Sequence, residues 1–332
     1  MVIFKNVKNY HFVLVSLLFI MIIFCISRAG LFEEVITSFE ITDEGSKFKE
    51  FQSYPDVDYW NEWWYANFYD ENLKIGGNIL LFTRGNLDDI RSVRGVHIDV
   101  FNHSEHFVTV GEVVPPEEYI SDERITDVVF GQNRLKRLNQ DTYELYLKTS
   151  DSTFEANLTF TRLTKGFSKK VSLIGERAFF TVPTPLARVE GYITCDGKHF
   201  QIKGKGYQEQ YYGIWKNVKW DWGVVGKVDD KFSIVFSKAD IENNTIGHIT
   251  VSNDKKLLAK ILYPSMDVEP ENGMESPPKY HIYGEKDGFA VDLYASPVGD
   301  LRIFSFRGNV TENGRILYSL QDEIGFFEHI YK

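Results

Sequence analysis

Two stretches of the chain set carboxyl groups among aromatic rings. The first is Trp60-Asn61-Glu62-Trp63-Trp64-Tyr65. On an extended strand, alternate side chains point to opposite faces, so Glu62 and Trp64 share one side and Trp63 and Tyr65 the other. One face must be core, because these rings are costly to expose. The other would present Glu62 beside indole rings, where loss of water favours the neutral carboxyl and suits it to general-acid work. The structural alternative is a glutamate bonded to backbone or to an arginine across a barrel.

The second stretch runs Gly204-Lys205-Gly206-Tyr207-Gln208-Glu209-Gln210-Tyr211-Tyr212-Gly213-Ile214-Trp215, followed by Trp220-Asp221-Trp222-Gly223. Glu209 and Asp221 are its acids, set among tyrosines and tryptophans. Such a box can hold an apolar ligand, or stabilise a carbocation through ring quadrupoles. An aromatic core between two domains is the alternative. The glycines allow sharp turns or close approach to another strand. The candidate catalytic residues are therefore Glu209, Glu62 and Asp221. The candidate ligand-binding residues are Trp63, Trp64, Tyr65, Tyr207, Tyr211, Tyr212, Trp220 and Trp222.

Other chemistries find little support. Cys25 and Cys195 are the two cysteines, and Cys25 lies in an apolar N-terminal run. No cysteine-type zinc site can form. Cys195, before Asp196-Gly197, reads as an inert residue at a hairpin. His97, His103 and His106 are not spaced to share a strand face, so no metal site is expected. No phosphate loop or Gly-x-Ser-x-Gly elbow occurs, and no cofactor is implied. The net charge of −10 weighs against a nucleic-acid partner, whose phosphates need a basic face. The basic runs Arg134 to Arg137 and Lys165 to Lys170 read as solvated loops.

The elements that must position the acids are strands. Past residue 40 the apolar residues alternate rather than follow a helical period, as in Val93 to Phe101, Thr142 to Lys148, Thr153 to Arg162 and Thr245 to Ser252. Turn pairs such as Asp196-Gly197, Asp287-Gly288 and Asn313-Gly314 separate them. Many short strands at close spacing predict an all-β sandwich or barrel, and the hairpin-like turns and the size of each half of the chain suit two antiparallel β-barrel domains. The 26 Phe, 18 Tyr and 6 Trp, 15% of the chain, fit large β-surfaces or an aromatic cavity. A chain of 332 residues suits two domains, and Phe180 to Pro185, with two prolines, is the expected boundary: residues 40–182 and 186–332. Residues 115–127 and 267–278 are expected to be long loops.

The first thirty residues form a separate segment. Lys5 and Lys8 precede the apolar run Phe12 to Ile26, and small residues follow at Ser27 and Ala29. This describes a secretory signal or, if uncleaved, a membrane anchor. Lysines before the run and Glu33 and Glu34 after it place the body on the extracytoplasmic side.

On these motifs the chain resembles a family. Glu62-Trp63-Trp64-Tyr65 looks like the opening signature of the carotenoid 1,2-hydratase (hydroxyneurosporene synthase) and AttH-like group, which also includes fungal Diels–Alderases. Gly204, Gly206, Tyr207, Gly213, Trp220 and Trp222 follow its second signature in order and spacing. Glu209 stands where the family has Asp, and Gln210 and Tyr212 stand where many members have His and Trp. Tyr318 to Gly325, with Glu323 as its acid, looks like the closing strand. The resemblance spans roughly residues 45 to 330. It implies lipocalin-like barrels side by side, with ligand space near their contact. It also implies an acid that protonates an isoprenoid alkene while water captures the cation. Glu209 would be the proton donor, with Glu62 or Asp221 positioning water. The Asp-to-Glu change keeps an acid but moves it by one methylene. The expected function is binding of a lipophilic molecule, with acid-catalysed hydration or isomerisation of it. The alternatives are a carrier without catalysis and a carbohydrate-binding sandwich.

Overall fold

A computed structural model describes residues 33–38, 45–102, 106–173, 176–216, 218–241, 244–269, 279–298 and 302–330. The N-terminal segment read as a signal or anchor lies outside the described residues, as does most of the second expected loop. No helix among the described residues is long and apolar enough to cross a membrane.

Strands dominate. The first sheet holds β1 (Glu33–Ser38), β2 (Trp60–Asp70), β3 (Ile75–Arg84), β4 (Val93–Asn102), β5 (His106–Val113), β6 (Tyr119–Ser121), β7 (Asp127–Phe130), β8 (Asn133–Asn139), β9 (Thr142–Lys148), β10 (Phe154–Arg162), β11 (Phe167–Leu173), β12 (Glu176–Cys195) and β13 (Lys198–Ile214). The second holds β14 (Val218–Lys227), β15 (Phe232–Ile241), β16 (Asn244–Asn253), β17 (Leu257–Leu262), β18 (Ser265–Glu269), β19 (Lys279–Lys286), β20 (Phe289–Pro297), β21 (Ile303–Glu312) and β22 (Arg315–Ile330). The first is ordered β5-β4-β3-β2-β13-β12-β10-β9-β8-β7-β6, with β11 and β1 branching from β12. The second is ordered β17-β16-β15-β14-β22-β21-β20-β19-β18. Pairing is antiparallel.

Each sheet curls on itself into a half-barrel. In the first, Trp64 of β2 reaches Phe130 of β7 across the interior, with ring centroids 6.2 Å apart. In the second, Tyr280 of β19 lies 4.2 Å from Phe327 of β22. Each interior is filled by alternating apolar side chains, including Leu145, Leu158 and Val189 in one and Ile234, Ile249 and Leu293 in the other. The fold is therefore two lipocalin-like antiparallel half-barrels. A third apolar cluster joins them: Tyr65, Phe167, Phe180 and Tyr207 of the first sheet meet Trp222, Val235 and Phe326 of the second.

The hairpin turns follow their sequence signals. Asp196-Gly197, Asp287-Gly288 and Asn313-Gly314 have positive φ at both positions, as tight two-residue hairpin turns require. Cys195 is buried beside the first of them, and burial pushes its thiol up to about 11.

Three expectations are corrected. The chain changes sheets between Ile214 and Val218, not at residues 180–185, because β12 and β13 both pair within the first sheet. Pro183 and Pro185 sit inside β12, where register shifts between Thr181 and Thr184 and between Thr184 and Ala187 interrupt the ladder. A residue without an N–H is tolerated where the ladder is already broken. Second, Lys165 to Lys170 is not a solvated loop: Phe167 begins β11, and Lys169 is buried. Arg134 to Arg137 likewise lies within β8. Third, the expected loop 115–127 contains a short 3-10 turn, Pro116–Glu118, and β6.

Candidate functional site

β2 and β13 are neighbours, and their register decides where each signature residue points. Tyr65 pairs with Glu209, Trp63 with Tyr211, Trp64 with Gln210 and Glu62 with Tyr212. Residues that pair share a face, so Trp63, Tyr65, Glu209 and Tyr211 lie on one face and Glu62, Trp64, Gln210 and Tyr212 on the other. The glycines explain how β13 comes so close to β2. A Cβ at Gly204 would lie 2.1 Å from the carbonyl oxygen of Tyr69, and one at Gly206 2.3 Å from that of Asn67. On β14, Trp220 and Trp222 point toward the first sheet, while Asp221 between them points away.

The first face of β2 and β13 borders a cavity of about 310 Å³ between the two sheets. Its wall is mainly aromatic. Trp63 stacks on Tyr211 with centroids 4.7 Å apart and planes 14° apart. Trp215 meets Trp63 edge-on at 5.3 Å, and Trp222 meets Tyr65 edge-on at 5.4 Å. Trp220 and Phe180 also border the space. Such edge-on and offset contacts fix the ring orientations.

Glu209 is the acid set into this wall, and it is 8% exposed. The Tyr207 hydroxyl donates to its Oε2 at 2.5 Å, and Trp63 hydrogen-bonds to it as well. Burial pushes its carboxyl up to about 8, against the lowering effect of these two bonds, and Glu328 adds to the rise. Near neutral pH the group is therefore mostly a neutral acid with a proton to give. Tyr207 itself lies behind Glu209, against Trp222 at 5.0 Å.

Further polar groups border the cavity. Glu328 faces Arg302 at 3.3 Å and accepts from Trp220 Nε1 at 3.4 Å. The Tyr65 hydroxyl donates to Asn78 Oδ1 at 2.6 Å. His97, Lys169 and Ser237 also line the space. Among the described residues, no group of three or more His, Cys, Asp or Glu side chains is placed to hold a metal ion.

Solved structures share this fold. An AttH-like protein of Nitrosomonas europaea has a TM-score of 0.53 and 11% identity, over 84% of this chain and 97% of its own. Kievitone hydratase of Nectria haematococca also has a TM-score of 0.53, with 15% identity over 88% of this chain and 98% of its own. This chain has the AttH-like fold. The likeness concerns the fold and does not reach the carotenoid 1,2-hydratases in particular. No family profile and no curated protein matches the sequence.

Within the AttH-like fold of this chain, the candidates from sequence divide into two sets. Glu209, Trp63, Tyr65, Tyr211, Trp220 and Trp222 border one cavity, and Tyr207 supports Glu209 from behind. Trp64 packs in the interior of the first half-barrel. Tyr212 stacks on Phe179 at 5.0 Å on the far face. Glu62 is fully buried there. It accepts from Ser46 Oγ at 2.7 Å, from the Lys47 backbone N–H at 3.0 Å and from Gln210 Nε2 at 2.9 Å. Burial pushes its carboxyl up to about 7. These bonds fasten the segment before β2, including the short helix α1 (Phe48–Phe51), onto the sheet. Asp221 pairs with His329 on the opposite face of β14, the one turned into the second half-barrel, where His329 lies 5.9 Å from Tyr280. Neither Glu62 nor Asp221 borders the cavity, so neither stands where it was expected to position water. Glu323, the acid of the closing strand, pairs with Lys205 between the sheets.

Lys169, Phe180, Arg302 and Glu328 are wall residues that sequence motifs do not select. They come from strands far apart in the chain, and no local pattern marks them as a group. A buried alternation through Phe167 and Lys169 is the one available signal, and the basic composition of residues 165–170 obscures it.

Proposed function

We propose that this protein binds an apolar, unsaturated small molecule in the cavity between its half-barrels and that Glu209 protonates it. The observation that carries this reading is a buried carboxyl, neutral near pH 7, set into a wall of indole and phenol rings.

The chemistry follows from the geometry. Glu209 gives its proton to one carbon of an alkene, and the adjacent carbon becomes a cation. The faces of Trp63, Tyr211 and Trp222 supply the negative quadrupole that steadies this charge. The cation then has two outcomes. Water can add to it and lose a proton, which returns to Glu209 and completes hydration. Alternatively, a neighbouring carbon can lose the proton to Glu209, completing an isomerisation. Glu328, held by Arg302, is the second carboxyl on the wall and is the group to orient the water. Kievitone hydratase has the same fold, which accords with a hydration on this scaffold.

We further propose, from Lys5, Lys8 and the apolar run that follows them, that the body acts on the extracytoplasmic side of a membrane. N-terminal sequencing of the mature protein checks whether residues 1–30 are removed.

The catalytic test compares small molecules extracted from the wild type and from Glu209→Gln, each purified from the native host. The wild type is expected to carry or release a product one water heavier than, or isomeric with, the molecule retained by the variant. Identical extracts from proteins that both carry a ligand would leave a carrier without catalysis.

A further inference from the structure

Two polar side chains on the cavity wall, Asn78 of β3 and His97 of β4, take no part in the proposed protonation. Register places them. His97 stands opposite Leu80, Leu80 opposite Tyr65, and Tyr65 opposite Glu209, one row across β4, β3, β2 and β13. All four border the cavity. Asn78 lies two residues along β3 from Leu80, so it shares that face and is a diagonal neighbour of His97. Glu209 thus stands at one end of the row and the polar pair at the other, with Leu80 and the Tyr65 ring between them.

The pair has hydrogen-bonding capacity to spare. Asn78 is 1% exposed. Its Oδ1 accepts from the Tyr65 hydroxyl at 2.6 Å, and that hydroxyl accepts from Asn67 Nδ2 at 3.5 Å. This run of donors turns the amide so that its N–H groups are the free end, and Asn78 Nδ2 has no acceptor among the described residues. A buried donor without an acceptor is costly, so natural folds rarely keep one without a use. His97 is half-buried, and its ring makes no hydrogen bond or ion pair among the described residues. An imidazole carries at least one N–H in either charge state. The other polar groups of the wall are engaged: Glu328 with Arg302 and Trp220, and Lys169 and Ser237 with His248.

We infer that Asn78 and His97 hold an uncharged acceptor oxygen of the ligand, a carbonyl oxygen. The inference rests on the proposed ligand cavity and adds the ligand's class: an unsaturated apolar molecule with a carbonyl at the end remote from Glu209, rather than a hydrocarbon. Two N–H donors match the two lone pairs of such an oxygen. A hydrocarbon in the same place leaves both donors unpaired, which is how a site built to bond an oxygen rejects a ligand that lacks it.

The test titrates benzophenone and diphenylmethane, which differ in a carbonyl against a methylene, into the full protein by isothermal calorimetry. A ketone gives up bonds to water on entry, so a wall without donors favours the hydrocarbon. Wild type is expected to bind the ketone at least as tightly as the hydrocarbon. Asn78→Leu, with its fold checked by circular dichroism, is expected to bind the ketone about tenfold more weakly and the hydrocarbon within about twofold of wild type. His97→Phe is expected to shift the ratio in the same direction. The carbonyl stretch of the bound ketone, read by isotope-edited infrared spectroscopy, is expected at lower frequency in wild type than in either variant, a difference that a purely structural role would not produce. A wild type that prefers the hydrocarbon overturns the inference but leaves the ligand cavity standing. So does an unchanged affinity ratio, or an unchanged carbonyl frequency, in either variant. If wild type binds neither probe, the inference and the apolar-ligand reading both fail. Asn78→Leu strands the Tyr65 hydroxyl, so if it does not fold, Asn78→Leu with Tyr65→Phe, which removes both partners, decides the matter.

Discussion

Glu62 and Glu209 stand on neighbouring strands of one sheet and point to its opposite faces, Glu62 opposite Tyr212 and Glu209 opposite Tyr65. Burial raises both carboxyls, but only Glu209 borders the cavity. The two acids should therefore fail differently when changed.

Glu62 should be a stability residue. Glu62→Ala leaves the donors on Ser46, Lys47 and Gln210 without their acceptor, a loss expected to cost about 2–4 kcal/mol in denaturant unfolding. Ligand affinity should stay within about twofold, since the residue lies across the sheet from the cavity. A large loss of affinity at unchanged stability would contradict this placement.

The sign of the pH dependence follows from the same burial. A carboxyl raised in the folded state holds its proton more tightly there than in the unfolded chain. Its contribution to stability therefore falls as pH rises from about 4.5 to about 7 for Glu62, then levels off. Glu209 extends the fall to about 8. Glu62→Gln should remove part of the slope below pH 7 and leave the slope between 7 and 8. Urea unfolding at a series of pH values checks this.

Activity should follow Glu209 in the opposite sense to an enzyme that needs a base. With the acid form required, kcat/KM should be level near neutrality and fall about tenfold per pH unit well above pH 8. Tyr207→Phe removes the hydroxyl that donates to Glu209 and should move this limb upward, because that bond favours the charged carboxylate. An unmoved limb would detach the profile from Glu209.

Lys205 joins the half-barrels. Its ammonium group pairs with Glu323 of the second sheet, lies 3.1 Å from Glu71 and donates to the Gly226 carbonyl at 3.2 Å. Glu323→Ala leaves this mostly buried amine with the exposed Glu71 as its remaining carboxylate partner and should cost about 1–3 kcal/mol. Adding Lys205→Met should recover part of that loss. A double-mutant cycle by thermal unfolding measures the coupling.

Gly206 is fixed by sterics rather than by turn geometry. A Cβ there meets the Asn67 carbonyl at 2.3 Å and the Val189 side chain at 2.7 Å. Gly206→Ala should push β13 off β2, lowering stability by about 1–3 kcal/mol and disturbing Glu209 three residues on. Circular dichroism melts and ligand titration report the two effects separately.

Much of the fold was legible because its strands alternate cleanly. Thr142 to Lys148 buries Tyr143, Leu145 and Leu147 as its pattern predicts. Parity within a strand was legible too, and it separated Glu62 from Trp63 before any register was known. Register was not. Whether Glu62 shares a face with Glu209 depends on which residue of β13 stands opposite Tyr65, and no local pattern encodes that. The proline pair at 183 and 185 reads as a linker in sequence but is a bulge, because a broken ladder tolerates a missing donor as readily as a loop does. Lys169 was hidden for a related reason: a lysine's composition signals water, while its strand position sets it in the cavity.

The most direct test of the central claim is native mass spectrometry, with solvent extraction, of the wild-type protein from its own host beside Ala178→Phe, which fills the cavity from β12. The cavity reading predicts a single lipophilic molecule bound to wild type and absent from a folded Ala178→Phe. A wild type that carries no small molecule and binds none from a lipid panel, or a ligand retained undiminished by the folded variant, would contradict it.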